Sequence, residues 1–223
     1  MYLKGKTARS TPKPVINDNI GIPQELREKN KEIMLHMDIL YVNGIGFLST
    51  MGHLMYYRTA EFVGNGSAID IYAMLAKTLR VYNKGGYRIK TIECDGEFKP
   101  IMNRVNDKMD VTMNYSNAQD HVPAMEQNNR TIKDAVRLTL YRVPYKRIPR
   151  VMIVELVRLS ADRLNWFPAK HGISKHYSLL TIITGCQLDY NKHCKYKFGQ
   201  YVQAHTQNTP TNSMSERTKD GII

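Results

Sequence analysis

The chain has 223 residues, 42% hydrophobic and 23% charged, which supports one buried core and excludes a wholly disordered chain or a disulfide-stapled miniprotein. Its 32 Lys and Arg against 20 Asp and Glu leave a formal net charge of +12, which points to a polyanionic partner. No run approaches the roughly 18 apolar residues of a membrane span, no apolar stretch follows the basic N-terminus, and Cys94, Cys186 and Cys194 show no C-x-x-C spacing, so a soluble, unsecreted protein with reduced thiols and no membrane partner is expected.

Residues 1–30 carry three prolines, scattered Lys and Arg and no apolar period, and read as a flexible basic leader. A core over 31–168 and a polar extension over 169–223 are expected to follow. Two apolar runs, 33–42 and 45–51, flank Asn43-Gly44, a dipeptide suited to the positive φ angles of a tight hairpin. They predict two antiparallel strands, with a third over 53–59.

From Ser67 the period changes. Ser67 and Asp70 resemble a capping box, and Ala68, Tyr72, Leu75, Leu79 and Tyr82 recur at helical spacing until Gly85-Gly86. Residues 88–94 alternate around Ile89 and Ile92 as a strand, followed by Asp95-Gly96, a short helix over 98–105 and a strand over 111–114. Strand, helix, strand in that order predicts a right-handed parallel crossover in an α/β fold.

A long helix is predicted over 123–142, with Pro123 tolerated in its first turn. Met125, Ile132 and Val136 form its inward stripe, which Asn129 breaks. Another helix follows Pro149, with Val154, Val157, Ala161 and Leu164 inward and Glu155, Arg158 and Asp162 as an outward charge ladder. Beyond Pro168 the chain turns polar and turn-rich.

Three acids stand out, each with an ordinary reading beside a chemical one. Asp38 lies among apolar neighbours in HMDILYV, where an unpaired buried carboxylate costs about 3–5 kcal/mol unless a cation meets it; strand alternation would instead turn it to solvent. Asp95 follows a strand end, where ligands of open α/β sheets gather, but Asp-Gly is also common turn chemistry. Glu126 suits the first turn of a helix and stands four residues before Arg130, as in a surface ion pair. Together the three can converge at one sheet end. Carboxylates so gathered need cations: hard oxygen ligands suit Mg²⁺ or Mn²⁺, and two such ions about 3.5–4 Å apart suit in-line phosphoryl displacement.

The segments DILYVNGIGFLST (38–50), IECDGEF (92–98) and HVPAMEQNNRTIKD (121–134), with acids 57 and then 31 residues apart, resemble the three acidic blocks of copia-type retroelement integrases, particularly those from algae. The likeness spans about 31–205 and includes FGQYVQAH (198–205). It implies a ribonuclease-H-like fold, a mixed five-stranded sheet flanked by helices, with Asp38, Asp95 and Glu126 as catalytic, metal-binding acids. The implied reaction is DNA integration: 3′-end processing of element DNA by water, then attack of its 3′-hydroxyl on target DNA, with two Mg²⁺ or Mn²⁺ ions. It further implies a homo-oligomer made in the cytoplasm and acting in the nucleus. Where that family carries arginine after the glutamate and an apolar residue two further on, this chain has Gln127 and Asn129, so altered DNA grip and looser helix packing are expected.

Glu126, Arg130, Lys133 and Arg137 follow at steps of four, three and four residues and share one helix face; Arg142, Lys146, Arg147 and Arg150 extend the charge beyond it. Arg130, Lys133, Arg137, Lys146 and Arg147 are the candidate phosphate contacts, against the alternative of a merely solvated basic face. Glu97 reads as a helix cap or a ligand, and His121 as a loop histidine near the acids. His193-Cys194 lacks further zinc ligands nearby, and Trp166 with Phe167 reads as core anchors. Two other functions remain open: a decayed nucleic-acid-binding module that keeps only the basic surface, and a ribonuclease-H-like nuclease using water alone.

Overall fold

Residues 19–115, 123–205 and 218–223 are described by the computed structural model. The chain divides into Asp18–Leu188 and a smaller unit whose described part falls within Asp189–Ile223. In the larger unit a short helix α1 (Gln24–Lys29) precedes strands β1 (Glu32–Val42), β2 (Ile45–Gly52) and β3 (Arg58–Phe62). Helix α2 (Ala68–Lys84), strand β4 (Arg88–Cys94), helix α3 (Lys99–Met109) and strand β5 (Thr112–Tyr115) follow, then helices α4 (Pro123–Leu140), α5 (Arg150–Leu164) and α6 (Leu179–Thr184). The sheet order is β3-β2-β1-β4-β5; β1–β2 and β2–β3 are antiparallel, and β1–β4 and β4–β5 are parallel.

Local chemistry accounts for most of these boundaries. Asn43 and Gly44 take φ of 49° and 74°, the pair of left-handed residues that a two-residue hairpin needs to match strand twist. The Ser67 hydroxyl accepts the Asp70 N–H at 3.1 Å and so caps α2. Strand β3 begins at Arg58 rather than at residue 53. The His53 N–H is held by the Met34 carbonyl at 2.8 Å, and the chain then bends through Leu54 and Tyr56, both in the left-handed region at φ 58° and 60°. The short helix after Asp95 opens as a 3₁₀ turn, Gly96–Phe98, and continues to Met109, beyond the predicted end at 105.

Period-two alternation splits β1 between two layers. Ile33, Leu35 and Met37 point into the main apolar cluster with Ile89 and Ile92 of β4, Leu75, Leu79 and Tyr82 of α2, and Ile101 and Val105 of α3. Each such side chain, fully buried, contributes about 1.5–3 kcal/mol. Helix α6, in a stretch read from sequence as polar, adds Leu179, Ile182 and Ile183 to the same cluster. On the opposite face, α4 packs against β1 and β2, and α5 against β3 and α4. The smaller unit contains α7 (Tyr190–His193) and an antiparallel pair, β6 (Tyr201–His205) with β7 (Thr218–Ile222).

Candidate active site

Strands β1 and β4 pair in parallel up to Met37 opposite Cys94, and the next residue on each is an acid, Asp38 and Asp95. Parallel register therefore brings together two carboxylates that are 57 residues apart in sequence. Asp38 is half-buried and faces α4: one carboxylate oxygen accepts the Ile39 N–H at 2.7 Å, the other the Asn129 side-chain amide at 2.6 Å. Asp95 stands at the N-terminal cap of the 3₁₀ turn in an extended conformation, and its side chain makes no capping hydrogen bond there.

A third carboxylate lies within their electrostatic reach. Partial desolvation, then the charges of Asp38 and Asp95, push Glu97 above the usual carboxylate range, opposed by a hydrogen bond from the Ile39 N–H. Glu126 is exposed on α4, one turn before Asn129, and does not close with the two aspartates into a ligand set. Among the described residues, no three His, Cys, Asp or Glu side chains stand close enough to hold one ion. Nor does Glu126 pair with Arg130 there. His121 lies outside the described residues.

Asn129, which breaks the apolar stripe, is bonded through its amide nitrogen, while its Oδ1 is buried without a hydrogen-bond partner among the described residues. It is 7% exposed, and its amide fastens α4 to Asp38. Its neighbour Asn128 is buried too, accepting Nε–H of Arg58 at 2.8 Å and donating to the Ser49 hydroxyl at 3.1 Å. The Arg58 guanidinium loses some basicity through burial. Asn165, at the C-terminus of α5, closes the seam by making two hydrogen bonds to the Arg58 backbone, at 2.9 and 2.7 Å, as a neighbouring strand would. Helix α4 is thus tied to three strands through side-chain amides.

His36 lies two residues before Asp38 on the same sheet face, with Nε2 3.2 Å from Nδ1 of His53 and Nδ1 3.1 Å from the Glu93 carboxylate. Burial lowers its pKa; Glu93 opposes that shift and His53 adds to it.

Of the predicted basic row, Arg130 and Arg137 are exposed and Lys133 is half-buried on α4, while Lys146 and Arg147 are exposed in the α4–α5 connection. Arg137 pairs with Asp134 at 2.6 Å, and Arg150 lies 5.4 Å over the Phe62 ring. Trp166 is half-buried with Arg163 over its ring at 5.9 Å, whereas Phe167, expected in the core, is 56% exposed because α5 has already ended at Leu164.

No protein-family model matches the chain, and no curated protein matches it in sequence. Solved structures do match. The catalytic core domain of BIV integrase superposes with a TM-score of 0.50 at 14% identity, covering 73% of this chain and 97% of that one. The fold is ribonuclease-H-like. At that identity the likeness carries architecture rather than chemistry.

Within this ribonuclease-H-like frame, Asp38 and Asp95 supply hard oxygen donors from adjoining strand ends. Mg²⁺ needs no more than one or two protein carboxylates, with water or phosphate oxygens filling the remaining positions. Burial first, and the charges of Asp38 and Asp95 second, raise the Glu97 pKa beside them. These two aspartates are the donors that would hold such an ion. No helix of the described residues is long and apolar enough to cross a membrane.

Proposed function

We propose that the chain is the catalytic core of an integrase-type polynucleotidyl transferase from a copia-type retroelement, acting on DNA by 3′-end processing and strand transfer. The observation that carries this reading is the juxtaposition of Asp38 and Asp95 at the ends of adjoining parallel strands. The three acidic blocks motivate the copia-type and algal assignment.

In this reading Asp38 and Asp95 hold Mg²⁺ or Mn²⁺, and Glu126 completes the site for a second ion. Bound divalent ions supply charge neutralisation and Lewis acidity at phosphoryl oxygens. The protein does the positioning. Asn129 orients the Asp38 carboxylate through its 2.6 Å hydrogen bond. Arg130, Lys133, Arg137, Lys146 and Arg147 hold the DNA backbone by phosphate contact, which fixes register without reading sequence. A 3′-hydroxyl oxygen forms a bond to the target phosphorus as the bond to the leaving 3′ oxygen breaks, so no covalent enzyme intermediate is needed. The active species is a homo-oligomer, and its chromosomal substrate makes the nucleus the site of action.

The test is disintegration of branched DNA with Mg²⁺ or Mn²⁺, comparing wild type with Asp95→Asn. Wild type is expected to reseal the target strand; Asp95→Asn should fall to background while binding DNA as well or better, because it removes an oxygen ligand and a negative charge facing phosphate. Metal-dependent product from Asp95→Asn would overturn the site assignment. Shortened strands without joined product would identify a nuclease.

One observation favours a second reading, a nucleic-acid-binding module that no longer catalyses: Glu126 does not join Asp38 and Asp95 in one ligand set. A folded wild-type chain that binds DNA with a steep salt dependence, yet yields no product, would decide for it.

A further inference from the structure

Away from the acids, α4, α5 and the tip of the β1–β2 hairpin enclose a recess of about 390 Å³. Its floor is aliphatic, built from Val136, Leu140, Ile148 and Ile153. Lys133, Arg137 and Lys146 line the same recess. Arg137 shares its charge with Asp134, whereas neither lysine has an acid partner among the described residues. Tyr41, 59% exposed, forms part of the wall.

An aliphatic floor with a cationic rim asks for a ligand that is apolar and anionic within one small volume. A DNA duplex satisfies only half of this, because its backbone offers phosphates and sugars but nothing that would leave water to fill an aliphatic hollow. Base stacking prefers aromatic faces, and among the described residues Tyr41 is the one aromatic side chain lining the recess. The chain's own N-terminal stretch is a poor occupant, since Lys4, Lys6, Arg9 and Lys13 would meet a rim of like charge. An acidic peptide meets both demands, with a large side chain as the buried anchor and carboxylates on the rim.

We propose that this recess docks an acidic segment of a partner protein, seating one large apolar side chain over Val136 and Ile153 and pairing flanking carboxylates with Lys133 and Lys146. The proposal does not rest on the catalytic chemistry, but it draws on Lys133 and Lys146, which the proposed function gives to DNA phosphates, so peptide and DNA compete for these two lysines.

It is tested with a randomised twelve-residue display library selected on the full chain without DNA, followed by fluorescence anisotropy of the enriched peptides. Enrichment of sequences with a large apolar residue flanked by Asp or Glu is expected. Affinity should fall at least tenfold in Ile148→Gln, which leaves every charge in place, and again in Lys146→Glu at an exposed position; circular dichroism checks that each variant is folded. Replacing the peptide's apolar residue with serine should have the same effect as Ile148→Gln. No such enrichment, or binding indifferent both to the serine replacement and to Ile148→Gln, would overturn the proposal. It would equally fall if Ile148→Gln weakened a dT20 oligonucleotide tenfold and left the peptides unaffected, because the recess would then belong to a nucleobase.

Discussion

The two faces of the central sheet are held by different physics. Toward α2 and α3, β1 presents Ile33, Leu35 and Met37 to an apolar cluster whose contribution scales with buried area and has little directional demand. Toward α4 and α5 it presents Asp38 to a seam of amides, a hydroxyl and a guanidinium, and His36 to His53 and Glu93, where each contact fixes a pair of atoms at hydrogen-bond distance. The apolar face stabilises the sheet, and the polar face positions what stands at its end. Carboxylate chemistry needs the second kind of contact, because a shift of about 1 Å in a reacting group can cost 100-fold in rate.

The hardest blow to this division falls on the apolar face. Leu35→Ala, at a fully buried position in the central strand, should cost about 2–5 kcal/mol, seen as a lower urea midpoint. At temperatures where the variant remains folded, its DNA affinity should match wild type; lost affinity in a folded variant would show that the two faces are not separable.

Asn129→Leu is the sharper probe. Restoring the apolar stripe of α4 should stabilise the chain if helix packing alone matters there. The 2.6 Å hydrogen bond to Asp38 leads to the opposite expectation, a loss of about 1–3 kcal/mol as a carboxylate oxygen gives up its amide donor in a partly buried place. Product formation should fall in Asn129→Leu at denaturant-free conditions where the fold is intact. A higher urea midpoint in this variant would mean that the seam is dispensable.

That residue also marks where sequence reading runs out. Asn43-Gly44, the Ser67 cap and the parallel crossover were legible because a few neighbouring residues determine them; of the three acids singled out by their order, Asp38 and Asp95 follow paired strand ends, whereas Glu126 forms no three-ligand group with them. Asn128 and Asn129 were illegible for the converse reason: a polar residue in a helix stripe reads as a defect until its partner is known, and the partners are 79 and 91 residues away. Asn165, whose amide substitutes for a strand beside Arg58, gives no local signal at all. The six residues of α6 were missed within polar surroundings, although LLTIIT is itself an apolar run. The start of β3 shifted because Leu54 and Tyr56 adopt a backbone conformation that neither residue type announces.

A smaller effect separates the faces by pH. Tyr82 is fully buried on the apolar side and donates to the Tyr57 carbonyl at 3.1 Å; burial raises its pKa, and the Tyr57 phenol is likewise pushed up to about 12. In the unfolded chain both ionise near their ordinary value of about 10. The unfolded state therefore sheds these protons first, so the stability they contribute is complete below pH of about 10 and is lost as pH rises through the folded values. Tyr82→Phe should cost about 0.5–1.5 kcal/mol at pH 7 and flatten the alkaline fall in urea midpoint between pH 9 and 11. An unchanged alkaline slope would exclude Tyr82 as a source of that pH dependence.

The smallest expected change in stability comes from Lys133→Ala, and it separates a surface that grips DNA from one that is only solvated. Lys133 is half-buried, makes no ion pair among the described residues, and sits on α4 one turn beyond Arg130 on the face that begins at Glu126. Its removal should leave the urea midpoint within about 0.5 kcal/mol of wild type, as for most surface substitutions. DNA binding should behave otherwise. Each phosphate neutralised by a cation releases condensed counterions, so losing one contact lowers the slope of log affinity against log salt by about one and weakens all sequences alike. Measured by anisotropy on two unrelated duplexes from 50 to 200 mM salt, an unchanged slope would remove Lys133 from the interface, and a loss confined to one duplex would show that it reads bases rather than backbone.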